Sequence, residues 1–152
     1  MDIDVNMGEI ATAKTADDLT VSGIGSCLAI MLYDPKLKLG ALAHAMLPSS
    51  KTRNPSTTKV EDTRYVDIAI DEMLQRMLSQ GAKREDLEAK LVGGANMFAA
   101  FKSDVGGENV VNAEEKLKRE GIKIVGESTG GSIGRSVEFS VASGIVTVKI
   151  KF

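Results

Sequence analysis

The sequence predicts an α+β fold in one compact domain spanning 1–152, with mostly antiparallel strands forming a β-sandwich-like core flanked by two main helices. Three observations predict it. Apolar and polar residues alternate with period two near the C-terminus, as at Val137, Phe139 and Val141 and again at Val146, Val148, Ile150 and Phe152. Two apolar runs, Leu28 to Tyr33 and Leu39 to Leu47, flank a turn-forming Asp34-Pro35-Lys36, the pattern of a buried hairpin. Two other stretches carry apolar residues at three- and four-residue spacing, which makes one helical face each. At 152 residues the chain has the size of an ordinary domain and can build a core without disulfide staples.

In chain order, Leu19 to Ile24 reads as a short strand. It runs into the glycine-punctuated turn Gly23-Ile24-Gly25-Ser26-Cys27, and the hairpin follows. The polar stretch from Ser49 to Asp62 has loop composition. Asp62 to Gln80 is the clearest helix, with Val66, Ala69, Ile70, Met73, Leu74, Met77 and Leu78 on one face and Gly81 to end it. Ala89 to Val92 is a strand leading into Gly93-Gly94. A second helix runs from about Glu108 to Glu120, and Ile122 to Gly126 is the next strand. Ser143-Gly144 is the turn between the last two strands. Consecutive hairpins imply mostly antiparallel pairing with helices on the sheet faces.

Composition narrows the function. A net charge of −2, with no Trp and no basic tract, gives no reason to expect nucleic acid. No stretch approaches the about 18 apolar residues of a membrane span, and MDIDVNMGEI has neither the basic start nor the apolar run of a secretory signal, so no membrane insertion is expected. One cysteine forms no internal disulfide, which fits a reduced, cytoplasmic setting. With one His and one Cys, no metal and no other cofactor is expected.

Cys27 and His44 are the candidate chemistry. Cys27 follows two glycines and a serine at a strand entrance, where backbone N–H groups of the turn can face a developing oxyanion. The hairpin folds the strand of His44 back beside the strand that Cys27 starts, so the imidazole can take the thiol proton. Against this stand ordinary alternatives: a lone cysteine beside an apolar run is by default a small buried hydrophobe, and a lone strand histidine a hydrogen-bonded residue. Gly-Ile-Gly-Ser-Cys-Leu is not a dinucleotide fingerprint, because the third glycine is missing and no helix pattern follows.

Six motifs, in order along almost the whole chain, resemble the CheD family of chemoreceptor glutamine deamidases. They are Met7-Gly8-Glu9, Gly25-Ser26-Cys27, Ala43-His44-Ala45-Met46-Leu47-Pro48, Arg64-Tyr65-Val66-Asp67, Lys90 to Phe98, and Thr129-Gly130-Gly131 followed by Gly134-Arg135-Ser136-Val137. The resemblance implies hydrolysis of specific glutamine side-chain amides on the cytoplasmic region of methyl-accepting chemotaxis receptors, giving glutamate and ammonia. It implies a fold related to the catalytic domain of cytotoxic necrotizing factor toxins, and the phosphatase CheC as a regulatory partner. Carried over, Cys27 is the nucleophile and His44 the general base, then acid. Gly25 and Ser26, with Thr20 and Ser22, form the oxyanion and substrate loop.

Two positions depart from the family pattern. Where the family often has threonine as a third site member, this chain has Val21, and the expectation is that the Val21 backbone carbonyl orients His44, with Thr20 or Ser22 as substitutes if the strand register differs. Glu108 stands where the family commonly has arginine, which reverses a charge and can alter partner contacts. The alternative function is a CheC-binding regulatory adaptor with little catalytic activity. A thiol hydrolase for small-molecule amides is a third reading. A monomer is expected.

Overall fold

The computed structural model describes residues 1–50, 62–97 and 104–150, so the greater part of the polar stretch Ser49 to Asp62, and Phe98 of the glycine-rich motif, lie outside the described residues. The described elements are β1 (Asp2–Asp4), β2 (Ile10–Lys14), β3 (Asp18–Ile24), β4 (Leu28–Asp34), β5 (Leu39–Ala45), α1 (Val66–Ser79), β6 (Glu88–Gly93), α2 (Val105–Arg119), β7 (Lys123–Thr129), β8 (Arg135–Ser140) and β9 (Val146–Ile150). They make two mixed sheets, one of order β1-β3-β8-β9 and one of order β2-β5-β4-β6-β7. Five of the seven strand pairs are antiparallel, and β1–β3 and β6–β7 are parallel.

The layers follow from which face each side chain takes. β4 is central in its sheet and buried on both faces, which is why its sequence is apolar from Leu28 to Tyr33. Leu28, Ile30 and Leu32 join Val66, Ala69, Ile70, Met73 and Met77 of α1 and Ala113 and Leu117 of α2 in one apolar cluster. Ala29, Met31 and Tyr33 face the other way and meet Leu19, Val21, Ile24, Val137 and Phe139 of the four-stranded sheet in a second. The molecule is therefore sheet on sheet, with both helices laid on the outer face of the five-stranded sheet. Tyr33 and Phe139 meet edge to face across the sandwich, centroids 5.7 Å apart, and the Tyr33 hydroxyl donates to the Val141 carbonyl at 2.7 Å. On β5 the residues facing α1 are mostly small, Ala41, Ala43 and Ala45, which lets the helix lie close to the sheet.

Boundaries differ from the sequence expectation where side chains compete with the backbone. α1 begins at Val66 rather than Asp62, because the Asp62 carboxylate accepts from the Arg64 N–H and holds that segment in a turn. α2 begins a turn earlier than Glu108, because Asp104 caps it by accepting from the Gly107 N–H at 2.8 Å. Gly106 and Gly107 hid that start, since glycine is a poor helix former. β7 extends to Thr129, beyond Gly126. Passing from β6 through α2 to β7 makes those two strands parallel, as a helical crossover requires.

Candidate active site

Cys27 lies two residues before Ala29, and Ala29 is the register partner of His44 on β5. Side chains alternate across a strand, so Cys27 and His44 emerge on the same face, the one turned toward the four-stranded sheet. There they are diagonal neighbours, a relation of about 7–8 Å between Cα atoms. Both stand at one end of the sandwich, with Cys27 packed on the inter-sheet cluster and partly exposed, and His44 buried. Among the described residues no hydrogen bond joins the thiol to the ring, so the proton-transfer contact is one a bound substrate would close.

The ring of His44 is held from the N-terminal segment. Its Nδ1 is 3.2 Å from the Val5 carbonyl. A carbonyl can only accept, so Nδ1 carries the proton and the Nε2 lone pair is left to act as base. The His44 backbone is clasped by the same segment: its N–H donates to the Glu9 carbonyl and its carbonyl accepts from the Gly8 N–H at 2.8 Å. The Val5 N–H in turn donates to Thr20, which ties the segment to β3.

This corrects the expectation for Val21. The carbonyl within hydrogen-bond reach of the imidazole belongs to Val5, while Val21 sits buried opposite Val137 of β8. Thr20 and Ser22 are not brought to the ring either. They alternate with the inward-facing Leu19 and Val21, so they lie on the outer face of β3, where the Thr20 hydroxyl is committed to Asp4 at 3.0 Å.

The turn before Cys27 is anchored through three consecutive carbonyls. Gly25 accepts from the Ala95 N–H at 3.0 Å, Ser26 from Asn109 Nδ2 at 2.9 Å, and Cys27 from the Gly94 N–H at 2.8 Å. Among the described residues none of the three N–H groups of this turn, at Gly25, Ser26 and Cys27, has a hydrogen-bond acceptor. The arrangement is a run of satisfied acceptors with donors left over, which is what an oxyanion site requires. Glycine makes it possible. Gly93 has φ +113° and Gly94 φ +63°, and a Cβ on Gly93 would collide with the Cys27 carbonyl. Behind them, Gly94 packs on Gly106 of α2, so helix and turn touch backbone to backbone. A second brace comes from Arg135: its Nη1 donates to the Gly130 carbonyl at 2.9 Å, the Gly130 N–H donates to Gly93 and the Gly131 carbonyl accepts from Asn96.

Burial sets the proton positions. It pushes the Cys27 thiol above its ordinary value. It pushes His44 below the ordinary imidazole value, partly offset by the Val5 carbonyl and the Asp4 charge. Both shifts favour neutral forms, so the pair rests as thiol and imidazole. Cys27, His44, Gly25 and Ser26 lie together at one end of the sandwich, and Val5 and Asn109 stand beside them. Val5 contributes only a carbonyl, which leaves no mark in a sequence. Asn109 stands in the Val105 to Asn109 segment, where an Asn on the apolar side of a helix was the one available signal.

The comparisons bear on the whole chain. The model of the family described as "CheD chemotactic sensory transduction" matches residues 46–150. The chain belongs to the CheD family. That match starts after Cys27 and His44, but relatives cover both. A Methanococcus vannielii protein named "Probable chemoreceptor glutamine deamidase CheD" is 40% identical over 151 residues, 98% of this chain and 95% of its own. A Thermotoga maritima protein named "Chemoreceptor glutamine deamidase CheD" is 39% identical over 147 residues, 95% of this chain and 89% of its own. A solved structure of a Neisseria meningitidis protein aligns over 86% of this chain and 60% of its own at 17% identity and a TM-score of 0.49, a likeness too loose to bear on the fold.

Proposed function

We propose that this CheD-family chain is a protein-glutamine deamidase acting on the cytoplasmic region of methyl-accepting chemotaxis receptors, with Cys27 as nucleophile and His44 as base. The observation that carries the reading is the placement of Cys27 and His44 on one sheet face, with Nδ1 turned to a backbone carbonyl. The names of full-length relatives supply the substrate. In the reaction, Cys27 Sγ attacks the glutamine amide carbon as its proton passes to His44 Nε2. The amide oxygen becomes an oxyanion facing the N–H groups of the turn. His44 then protonates the leaving nitrogen, ammonia departs, and a thioester remains. Water, losing a proton to His44, attacks the thioester and releases glutamate and the thiol.

The starting state suits this route. A neutral imidazole is the form that can accept the thiol proton, and a neutral thiol costs nothing in desolvation until attack begins. The test is a receptor cytoplasmic fragment incubated with the protein and mapped by mass spectrometry. Specific Gln residues gain the mass of amide-to-acid conversion, and Cys27→Ala abolishes it. Equal conversion by Cys27→Ala sinks the mechanism.

The second reading is a CheC-binding adaptor with little catalysis, and the raised thiol is the observation that favours it. Receptor glutamines left intact, with CheC captured equally by the wild type and Cys27→Ala, would select it. CheC as partner, a monomeric state and a cytoplasmic location accompany the deamidase reading. Among the described residues no helix is long and apolar enough to cross a membrane.

A further inference from the structure

We propose that Asn109 is a positioning residue that aims the backbone N–H of Cys27 at the oxyanion. The inference rests on the deamidase reading above for its reaction but not for its test. Asn109 is fully buried on α2, and its Nδ2 donates to two carbonyls: Ser26 at 2.9 Å and Met46 at 3.1 Å. Ser26 precedes the nucleophile, and Met46 follows His44 by two residues. One amide group therefore pins the ends of both strands that carry the chemistry.

The direction of the bond matters. The Ser26 carbonyl and the Cys27 N–H belong to one peptide plane, and in a trans peptide they point opposite ways. Asn109 draws the carbonyl toward the helix layer, so the N–H turns away from it, toward the face that carries the thiol and His44. That N–H has no acceptor among the described residues. The flanking carbonyls of Gly25 and Cys27 are fixed by backbone donors of Ala95 and Gly94, so Ser26 is the one carbonyl of the turn whose orientation depends on a side chain. Among the described residues the buried Asn109 Oδ1 has no partner, a cost that an apolar side chain at this position would avoid. The amide is thus placed for its two donors, at a cost in stability.

The test separates attack that forms an oxyanion from attack that does not. Acylation of Cys27 by p-nitrophenyl acetate passes through a tetrahedral oxyanion. Alkylation by iodoacetamide displaces iodide at a saturated carbon and forms none. Both rates are measured on the full chain for the wild type, Asn109→Ala and the nearly isosteric Asn109→Asp, with folding followed by circular dichroism. Asn109→Ala is expected to lower the acylation-to-alkylation ratio roughly tenfold or more, the direction seen when an oxyanion donor is lost. Asn109→Asp loses it at neutral pH and regains part as pH falls, because the protonated carboxyl donates again. An unchanged ratio, an equal fall of both rates, or the unfolding of both variants would each overturn the proposal. Wild-type receptor deamidation is assayed alongside. A protein that acylates normally but spares receptor glutamines defeats the deamidase reading and leaves the ratio to decide the role of Asn109.

Discussion

At the scale of single residues, His44 and Cys27 are shifted in opposite directions by one cause, burial, and the consequence is a pH signature. The histidine must be neutral to accept a proton, and its folded value is depressed, so activity persists as pH falls until the imidazole itself protonates. The acid limb of kcat/KM for receptor deamidation is expected below the about 6.5 of an ordinary imidazole. The thiol is raised, so alkylation of free Cys27 is expected to titrate above the about 8.5 of an ordinary thiol. An alkylation midpoint near neutrality would show a preformed thiolate and contradict the neutral pair. Val21 supplies a second prediction. Its side chain lies in the inter-sheet cluster, and Nδ1 already faces the Val5 carbonyl. Val21→Thr is therefore expected to leave kcat within about twofold of wild type. It buries a hydroxyl and lowers stability by about 1–3 kcal/mol if no partner is found. A large gain in kcat would restore a side-chain role at this position. The sequence made Cys27 and His44 legible because thiol and imidazole are chemically distinctive. It could not show what holds the ring, because a backbone carbonyl has no residue type.

At the scale of elements, the turn at Gly25 to Cys27 is shaped by its neighbours more than by itself. β6 ends at Gly93, whose lack of a side chain lets the Cys27 carbonyl approach, and Gly94 beyond it donates its N–H to that carbonyl; both glycines have positive φ. Gly93→Ala adds a Cβ against that carbonyl and forces φ +113° on a residue that avoids it. The expected outcome is a fall in deamidation kcat of roughly tenfold or more, since small displacements of reacting groups are costly. Thermal unfolding followed in parallel tells displacement from collapse. Wild-type kcat in a folded Gly93→Ala protein would mean that the turn does not depend on this approach. The hairpin of β4 and β5 and the apolar face of α1 were readable, because periodicity and turn chemistry are local. The early start of α2 was not, because its cap at Asp104 is followed within three residues by two glycines of low helix propensity, of which Gly106 packs on Gly94 and Gly107 lies against the capping carboxylate. β1 is three residues long and β2 is IATAK, and neither carries enough alternation to be read without its partner strand.

At the scale of the whole molecule, the site sits where two sheets meet, and its histidine is a buried titratable group in the sandwich mouth. Sheet-on-sheet packing with helices on one side was foreseeable from the alternating strands and the doubly apolar β4. The parallel pairing of β1 with β3 was not, because β1 is too short to be read as a strand, whereas that of β6 with β7 follows from the α2 crossover between them. Placing His44 there couples folding to protonation. In the unfolded chain its imidazole titrates near about 6.5, whereas in the fold burial lowers that value. As pH falls through 6.5 the unfolded state takes up the proton first, so the unfolded state is favoured and stability declines until the folded value is reached. The decline due to this one group can be no steeper than about 1.4 kcal/mol per pH unit. The expected result is a lower urea midpoint at pH 5.5 than at pH 7.5, with a smaller drop in His44→Asn, which has no imidazole to titrate. Carboxylates contribute at lower pH: Glu120, held low chiefly by Arg84, adds stability that is lost only as the carboxylate range is entered. The wild-type minus His44→Asn difference isolates the imidazole, and equal midpoint shifts in both proteins would mean that His44 titrates alike in the folded and unfolded chain.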